Sequence, residues 1–357
     1  FKLGWSMLTW ITLSALVAAL AAGWYYFQRA DEEIRSLVQA RLAKHYPHLI
    51  VQVSSARVLQ GEGIRRRGLS LEQPGRPASR ENSPLVQLEQ VILHCNPRLS
   101  GLLQGRLQVR QIQIHGMTLR ATREADGQWN LKQLWPLPQF TKPPDPLPEV
   151  VFEQARLELR DRSAGSQLPM ICREIGLRVK TKRLDEQAPQ AVLIGFQGSL
   201  KTDHCRQIDL HGAARTADGA WSVKGRVHDL QWSPALIAAL PSEAAAPLRV
   251  VRPLTATSQL TFHVAQSAAD APPRYWLEGR LQEGRWQTAP GQSLLTNLQA
   301  DFQVDNQGLR VPRMTAELGE GRVSCSLQVA GHDSSRPFDL SLAADRVQIN
   351  SQMVAWL

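Results

Sequence analysis

The feature that most constrains this chain is the alternation of apolar and polar residues that begins near Leu49 and continues almost to the end. Successive side chains of a β-strand point to opposite faces, so a period of two is typical of strands with one apolar and one solvated face. The apolar positions include Val51, Val53, Val86, Leu88, Leu107, Val109, Leu157, Leu159, Val192, Ile194, Phe196, Ile208, Leu210, Leu260, Phe262, Ala300, Phe302, Val304, Leu340 and Leu342. We count roughly fifteen such segments, which predicts a mostly β fold of antiparallel strands.

The N-terminal segment, residues 1–28, has no ionisable side chain between Lys2 and Arg29. An apolar run of more than about 20 residues is long enough to cross a bilayer as a helix. Aromatic side chains favour the membrane interface, and here they lie near both ends of the run, as Trp5, Trp10, Trp24, Tyr25 and Tyr26. We predict a transmembrane signal anchor. The alternative is a cleaved signal peptide with Ala19 and Ala21 at its cleavage site.

A helical pattern follows over residues 31–46. The spacing i, i+3, i+4, i+7, i+8, i+11 of one helical face is occupied by Ile34, Leu37, Val38, Arg41, Leu42 and His45. Acidic residues at 31–33 suit the first turn of this helix, and Pro47 ends it. The pattern predicts a short amphipathic helix between the membrane anchor and the β body.

Two interruptions divide the β pattern. Residues 136–148 are rich in proline, which disfavours central strand pairing and indicates a semi-rigid connection. Within residues 233–250, Ser233 followed by Pro234 is typical of a helix start, and Pro241 of its end. We therefore expect β-strands over 49–135, 149–232 and 251–357, with a helical insertion at 233–250 and the last region cut short at the C-terminus.

Catalytic and cofactor motifs are absent from the sequence. It has no Gly-x-Ser-x-Gly, Walker A, His-Glu-x-x-His, Cys-x-x-Cys or Rossmann glycine pattern. His94-Cys95 and His204-Cys205 are candidate zinc ligands, but Cys95 and Cys325 occupy apolar strand positions, where cysteine behaves as a small core residue. Four cysteines also allow up to two disulfides, whose pairing stays open. We expect no enzyme, no cofactor and no metal site.

The formal net charge of +9 raises the question of an anionic partner. Nucleic-acid binding needs a clustered basic face with aromatic residues between the charges. The tight basic runs are only Arg65 to Arg67 and Lys180, Lys182, Arg183, and both resemble solvated strand ends. An anionic membrane surface is the better partner for a membrane-anchored chain, and we expect no nucleic acid.

Five segments occur along the chain in a recognisable order. They are Leu102 to Val109 (LLQGRLQV), Gly116 to Leu119, Asp126 to Leu131 (DGQWNL), Leu230 to Pro241 (LQWSPALIAALP) and Ala344 to Ile349 (ADRVQI). In this order they resemble the N-terminal region of AsmA-like proteins, which typically has a leucine-rich strand, a glycine before an apolar triplet, and a "DGxWN" turn leading into a short helix. The proline-rich stretch at 136–148 departs from the family pattern.

The resemblance implies a long, strongly curved antiparallel sheet, open like a taco, that is anchored in the inner membrane and stands in the periplasm. Such proteins are thought to carry phospholipids between the two membranes along an apolar groove. The alternating apolar residues would then line that groove, because one apolar face of a sheet has to be covered by something. Phospholipids, the inner membrane and outer-membrane or periplasmic proteins are the expected partners.

Two alternatives remain at this point. The apolar face can be the core of a closed sandwich or barrel. The protein can also be a periplasmic scaffold that assists outer-membrane protein assembly or envelope integrity by offering a sheet edge for strand addition. An envelope hydrolase is disfavoured by the missing catalytic motifs.

Overall fold

The computed structural model describes residues 32, 35–36, 39–59, 63–74, 84–95, 109–134, 147–162, 169–184, 191–240, 253–289, 292–331 and 338–347. Most of these residues are in β-strands, as predicted. The strands are β1 (Ile50–Leu59), β2 (Gly63–Glu72), β3 (Val86–Cys95), β4 (Val109–Arg123), β5 (Glu149–Asp161), β6 (Met170–Arg183), β7 (Val192–Thr202), β8 (Gln207–Arg215), β9 (Trp221–Trp232), β10 (Leu254–Gln266), β11 (Arg274–Ala289), β12 (Gln292–Asp305), β13 (Gly308–Leu318), β14 (Gly321–Ala330) and β15 (Phe338–Asp345). The fifteen strands pair in sequence order, β1 to β15, in one open sheet. The predicted number of strands is confirmed.

The chain divides into two compact units, Phe1–Met117 with Gln133–Pro146, and Thr118–Lys132 with Leu147–Leu357. In the first unit, helix α1 (residues 39–45) precedes β1. Gln39 Nε2 donates a hydrogen bond to the carbonyl of Val51 at 3.2 Å, and Arg35 Nη1 donates to that of Val53 at 3.4 Å. Polar side chains of the helical segment thus satisfy backbone carbonyls of β1, which among the described strands pairs only with β2.

Within the predicted amphipathic helix at 31–46, the described residues 32, 35–36 and 39–45 are helical. Leu42 and His45 are half-buried, whereas Arg41, which shares their predicted face, is exposed. A long cationic side chain can lie along an apolar surface with its charge in water, which explains why Arg41 occurs on this face. The other members of that face, Ile34, Leu37 and Val38, lie outside the described residues, as does the predicted anchor 1–28.

No helix within the described residues is long and apolar enough to span a membrane. Of the predicted proline-rich connection, residues 136–146 also lie outside the described ranges.

Two short helical turns occur inside the β body where the sequence predicts them. A 3-10 helix (Asn130–Leu134) follows the Asp126-Gly127 turn. Helix α2 (Pro234–Ala239) begins after Ser233, whose Oγ accepts a hydrogen bond from the backbone N–H of Leu236 at 3.1 Å. Leu240 is extended, which is the conformation expected before a proline. The later part of the predicted 233–250 insertion lies outside the described residues.

Bulges in the second unit keep apolar side chains on one face. Gln154 in β5 has a φ of 53°, and similar left-handed residues occur in other strands, namely Glu174, Asp229, Glu283 and Asn297. One extra residue in a strand reverses the odd–even phase of its side chains. Phe152 therefore lies opposite Leu177, and three residues later Ala155 lies opposite Ile175 on the same face.

Candidate functional site

One face of strands β5–β15 is apolar from strand to strand, and we call it the apolar face. The pairing registers define one row across these strands, which we call the central row. It consists of Phe152, Leu177, Gly198, Leu210, Gly225, Phe262, Leu277, Val304, Leu309, Val329 and Phe338. Ten strand spacings of about 4.8 Å give the row a length of roughly 48 Å. No polar side chain interrupts it.

The register places most of the predicted apolar residues on this face. They are Leu157, Leu159, Val192, Ile194, Phe196, Ile208, Leu210, Leu260, Phe262, Ala300, Phe302, Val304, Leu340 and Leu342. In the first unit, Val51, Val53, Val86 and Leu88 share a face through their pairing with Leu69 and Leu71. Val109 is half-buried at the start of β4, and Leu107 lies outside the described residues.

The sequence analysis missed several members of the apolar face. Phe152, Leu177 and Leu277 belong to the central row. None of them is among the predicted apolar positions, although the strands that contain them were predicted or show alternation in the sequence. Phe152 was missed because the bulge at Gln154 changes the phase of β5. The available signal was the pair of apolar residues at 151 and 152, which breaks a strict alternation.

One margin of the apolar face is tightly packed. A cluster of buried side chains, each 3–8% exposed, consists of Leu254, Ala256, Leu281, Leu298 and Ala316, and Trp232 and Trp286 pack against it. Trp232 Nε1 donates to the Oγ of Ser258 at 2.7 Å, and Ser258 is itself only 1% exposed. We call this side the closed margin, because its residues are covered by their neighbours within the second unit.

The rest of the apolar face is only partly covered by described residues. Most of its side chains in β5–β8 are half-buried. On β15 the exposure is high, at 64% for Phe338, 54% for Leu340 and 66% for Leu342. Lateral contacts between neighbouring strands explain half-burial, but they leave the outer surface of each side chain uncovered. An apolar surface of this extent is unusual on a soluble protein and marks an interaction site.

Three phenylalanine rings on this face lie over glycines of the neighbouring strand. Phe196 pairs with Gly212, Phe262 with Gly225 and Phe302 with Gly279. A Cβ placed on Gly212 would come within 2.5 Å of the Phe196 ring, and one placed on Gly225 would likewise overlap the Phe262 ring. The rings therefore lie across the neighbouring strand and project only a short way from the sheet at these points.

The margin opposite the closed one is more open, and we call it the open margin. Here Trp221 begins β9 and pairs with Gln266 at the end of β10. The indole Nε1 donates to Gln266 Oε1 at 2.7 Å. Trp221 and Trp232 are the first and last residues of β9, whose twelve residues extend over roughly 36 Å. Both margins thus have a tryptophan that combines an apolar ring with a polar contact.

The opposite face of the second unit is polar and has several ion pairs. Examples are Arg280 with Asp301 at 2.7 Å and Arg206 with Asp229 at 2.9 Å. A side-chain hydrogen bond from Gln207 is the main cause that lowers the pKa of Asp209, with a further contribution from His228. Gln197 points to this face and is exposed, and Leu193 lies there too, opposite Lys182 and Arg215.

A buried ion pair lies at the end of β5. Arg123 Nη1 is 3.7 Å from Asp161 Oδ2, and the side chain of Asp161 is 3% exposed. Arg123 Nε also donates to the carbonyl of Gly127 at 3.1 Å. The backbone amide of Arg162 donates to the carbonyl of Arg123 at 3.0 Å, which ties β4 to β5 at this point. Both charges are therefore held by direct contacts, as buried charges require.

The candidate metal ligands have other contacts. His94 Nε2 is 3.0 Å from Gln113 Oε1, and Cys205 Sγ is 3.2 Å from Thr202 Oγ1. Burial lowers the pKa of His204 and raises that of Cys172. Within the described ranges no cluster of three or more metal-ligating side chains occurs, and Cys172, Cys205 and Cys325 are free thiols. The side chain of Cys95 lies outside the described residues.

No protein-family model and no curated protein matches this sequence.

Proposed function

We propose that this chain is an AsmA-like bridge protein, anchored in the inner membrane with its body in the periplasm, that carries phospholipids along an apolar β-groove toward the outer membrane. The central row is the observation that carries this proposal. It offers an unbroken apolar path across eleven strands, from Phe152 to Phe338. Acyl chains are the class of ligand that such a path suits.

The energetics favour acyl chains over a ligand with a specific pocket. Each methylene moved from water to an apolar surface gains about 0.8 kcal/mol, so a chain of many methylenes binds without directional contacts. The low, flat phenylalanine rings at Phe196, Phe262 and Phe302 leave room for chains to lie along the sheet. Lateral movement then costs little, because one aliphatic neighbour is much like the next.

The strand order supports an open groove over a closed barrel. Closure needs hydrogen bonding between the first and last strands, and β1 and β15 stand at opposite ends of the order. The partly covered apolar side chains are a second support. In a closed sandwich these residues would be buried by a facing sheet.

Native mass spectrometry of the purified full chain tests the proposal. We expect co-purified phospholipid on the wild-type protein and much less on Ile194→Glu, because a carboxylate on the apolar face has to be desolvated or protonated when lipid covers it. Gln197→Glu, on the exposed polar side of the same strand, is the matched control and should retain lipid. Lipid-free wild-type protein, or equal loss in both variants, would contradict the proposal.

A second candidate function is a periplasmic scaffold that receives a strand from another envelope protein. The exposed apolar side chains of β15, namely Phe338, Leu340 and Leu342, are the observation that favours it. In this case purified protein would be free of lipid, and loss of the protein would lower outer-membrane protein levels without changing lipid distribution.

A further inference from the structure

The polar face of the second unit has a shallow depression that crosses β6–β11 near the open margin. The pairing registers define one row across these strands on that face. It consists of Lys180, Gly195, Ala213, Ser222, Ala265 and Arg274. The four residues in the middle of the row have short side chains or none, and a cavity of about 520 Å³ lies against Ala213, Ser222 and Ala265. We call this row, together with Lys182, Leu193, Arg215 and Lys224, the basic trough.

Exposed cationic side chains surround the floor of the basic trough. They are Lys180, Lys182, Arg215, Lys224 and Arg274. Within the ranges that the structure describes, Lys182, Lys224 and Arg274 have neither an ion pair nor a side-chain hydrogen bond. Their charges are therefore available to a ligand.

The other two cations of the trough contact carboxylates. Lys180 Nζ is 3.9 Å from Glu149 Oε1, and Arg215 Nη2 is 2.7 Å from Asp218 Oδ2. Ion pairs at exposed cations contribute little stability, so they do not prevent these side chains from contacting a further anion. Five positive charges thus stand against two negative charges around one depression. Like charges in this arrangement repel each other, and an anion bound between them removes that repulsion.

The size and the floor of the basic trough favour one class of anion. From Lys180 to Arg274 the row spans five strand spacings of about 4.8 Å, or roughly 24 Å. A small anion covers only part of this length, whereas an extended peptide of about seven residues covers all of it at about 3.3 Å per residue. The methyl groups of Leu193, Ala213 and Ala265 favour a chain that has apolar side chains between its charges. Peptides have such side chains, and phosphate or sugar polymers do not.

We propose that the basic trough is a docking surface for an extended acidic segment of a partner protein. Carboxylates of the segment contact the cationic side chains, and its apolar side chains lie on the floor. The inference goes beyond lipid carriage and does not depend on it, because the trough and the central row lie on opposite faces of the sheet. Complementary charge of this kind gives a complex its orientation and speeds its formation.

Fluorescence anisotropy of the purified full chain tests the proposal at physiological ionic strength. The probe is a labelled seven-residue peptide with two glutamates at each end and leucine, alanine and leucine between them. Wild-type protein should bind it, and the double variant Lys182→Gln with Arg274→Gln should bind it about tenfold more weakly. The matched control is Arg310→Gln with Arg322→Gln, which removes two exposed arginines without described partners from the same face of β13 and β14. It should bind as wild type does.

Two further peptides separate the roles of charge and floor. Glutamine in place of every glutamate should abolish binding, and serine in place of the three central residues should weaken it several-fold. The proposal is overturned if wild-type protein does not bind the acidic peptide, if either control peptide binds equally well, or if both double variants lose binding equally. Binding of phosphatidylglycerol vesicles but not of the peptide, lost in Lys182→Gln with Arg274→Gln, would assign the trough to a membrane surface and also overturn it. Native mass spectrometry should find the same lipid on all three proteins, so failure of this proposal is distinguishable from failure of lipid carriage.

Discussion

Phe302 on β12 lies directly opposite Gly279 on β11, and a Cβ on that glycine would come within 2.6 Å of the ring Cζ. The same Cβ would also meet Leu260 Cδ2 at 2.5 Å, so side chains from both neighbouring strands converge on the glycine. The absence of a side chain at residue 279 is what allows the phenylalanine to lie across the sheet. Two other phenylalanines on the same face repeat this arrangement, which makes it a general device of the apolar face.

Gly279→Ala should therefore destabilise the protein, although alanine normally suits a strand better than glycine. Forcing an extra methyl group into a filled site typically costs about 1–3 kcal/mol. The Phe302 ring would have to rise from the sheet to make room. Urea unfolding followed by tryptophan fluorescence measures the change.

Gly176→Ala is the matched control for this variant. A Cβ at Gly176 meets nothing within 4 Å, so the same chemical change should be neutral or slightly stabilising there. Equal unfolding free energies for the two variants would show that the Phe302 ring is not held by the glycine.

Asp161→Asn should be strongly destabilising because it leaves the charge of Arg123 without its carboxylate in a buried position. Removing one partner of a buried ion pair costs about 3–5 kcal/mol. Glu158→Gln removes a carboxylate that is more exposed and is paired with Arg120 at 3.3 Å and with Arg156 at 2.8 Å, and it should cost less than about 1 kcal/mol. Thermal unfolding of both variants compares the two pairs, and a similar loss in each would refute the special role of Asp161.

The pattern of alternation predicted most of this architecture. A period of two is a direct consequence of strand geometry, so residues such as Ile194 and Phe196 could be assigned to one face from the sequence. The helix at Pro234 was also predictable, because Ser233 and Pro234 satisfy the first helical turn locally. These features depend on residues that are close together in the chain.

Features that depend on pairing were not predictable. A left-handed residue such as Gln154 or Asp229 is neither glycine nor part of a turn motif, and its conformation is set by the strands on either side. A cavity lined by Arg215 and Arg274, for example, brings together residues from five strands, β7 to β11. Their register follows from the whole ladder, which a local pattern does not reveal.

Cys172 should react slowly with alkylating reagents in the folded protein. Burial, with a smaller contribution from nearby Cys205, raises the pKa of its thiol, so less of the reactive thiolate is present at a given pH. The stability linked to this protonated thiol is present below the ordinary thiol pKa and is lost as pH rises toward the raised value. At pH 8, iodoacetamide should modify Cys172 at least about tenfold more slowly than in urea, as measured by peptide mass spectrometry. Equal rates in both conditions would refute this.

The predicted anchor can be tested through its charge. Replacing Ala15 and Leu16 by arginine should abolish stable insertion, since each charge near the centre of a membrane helix costs about 2.5–3.5 kcal/mol. Ala15→Leu with Leu16→Val keeps the segment apolar and should insert normally. Alkaline extraction of membranes separates inserted from peripheral protein. Recovery of mature wild-type protein that begins near Ala22 in the soluble fraction would instead indicate a cleaved signal peptide.

The length of the central row predicts how many lipids the protein holds. An acyl chain that lies along a strand is about as wide as the strand spacing of about 4.8 Å, so ten spacings accommodate about five two-chain lipids. Native mass spectrometry of the wild-type chain should therefore show several lipids per protein. Leu277→Glu, in the middle of the row, should divide the path and lower the number without abolishing binding, because the row continues on both sides of β11. Gln282→Glu, at an exposed polar position of β11, should leave the number unchanged. A single lipid in all three proteins would mean that the row is a discrete binding site and not a path.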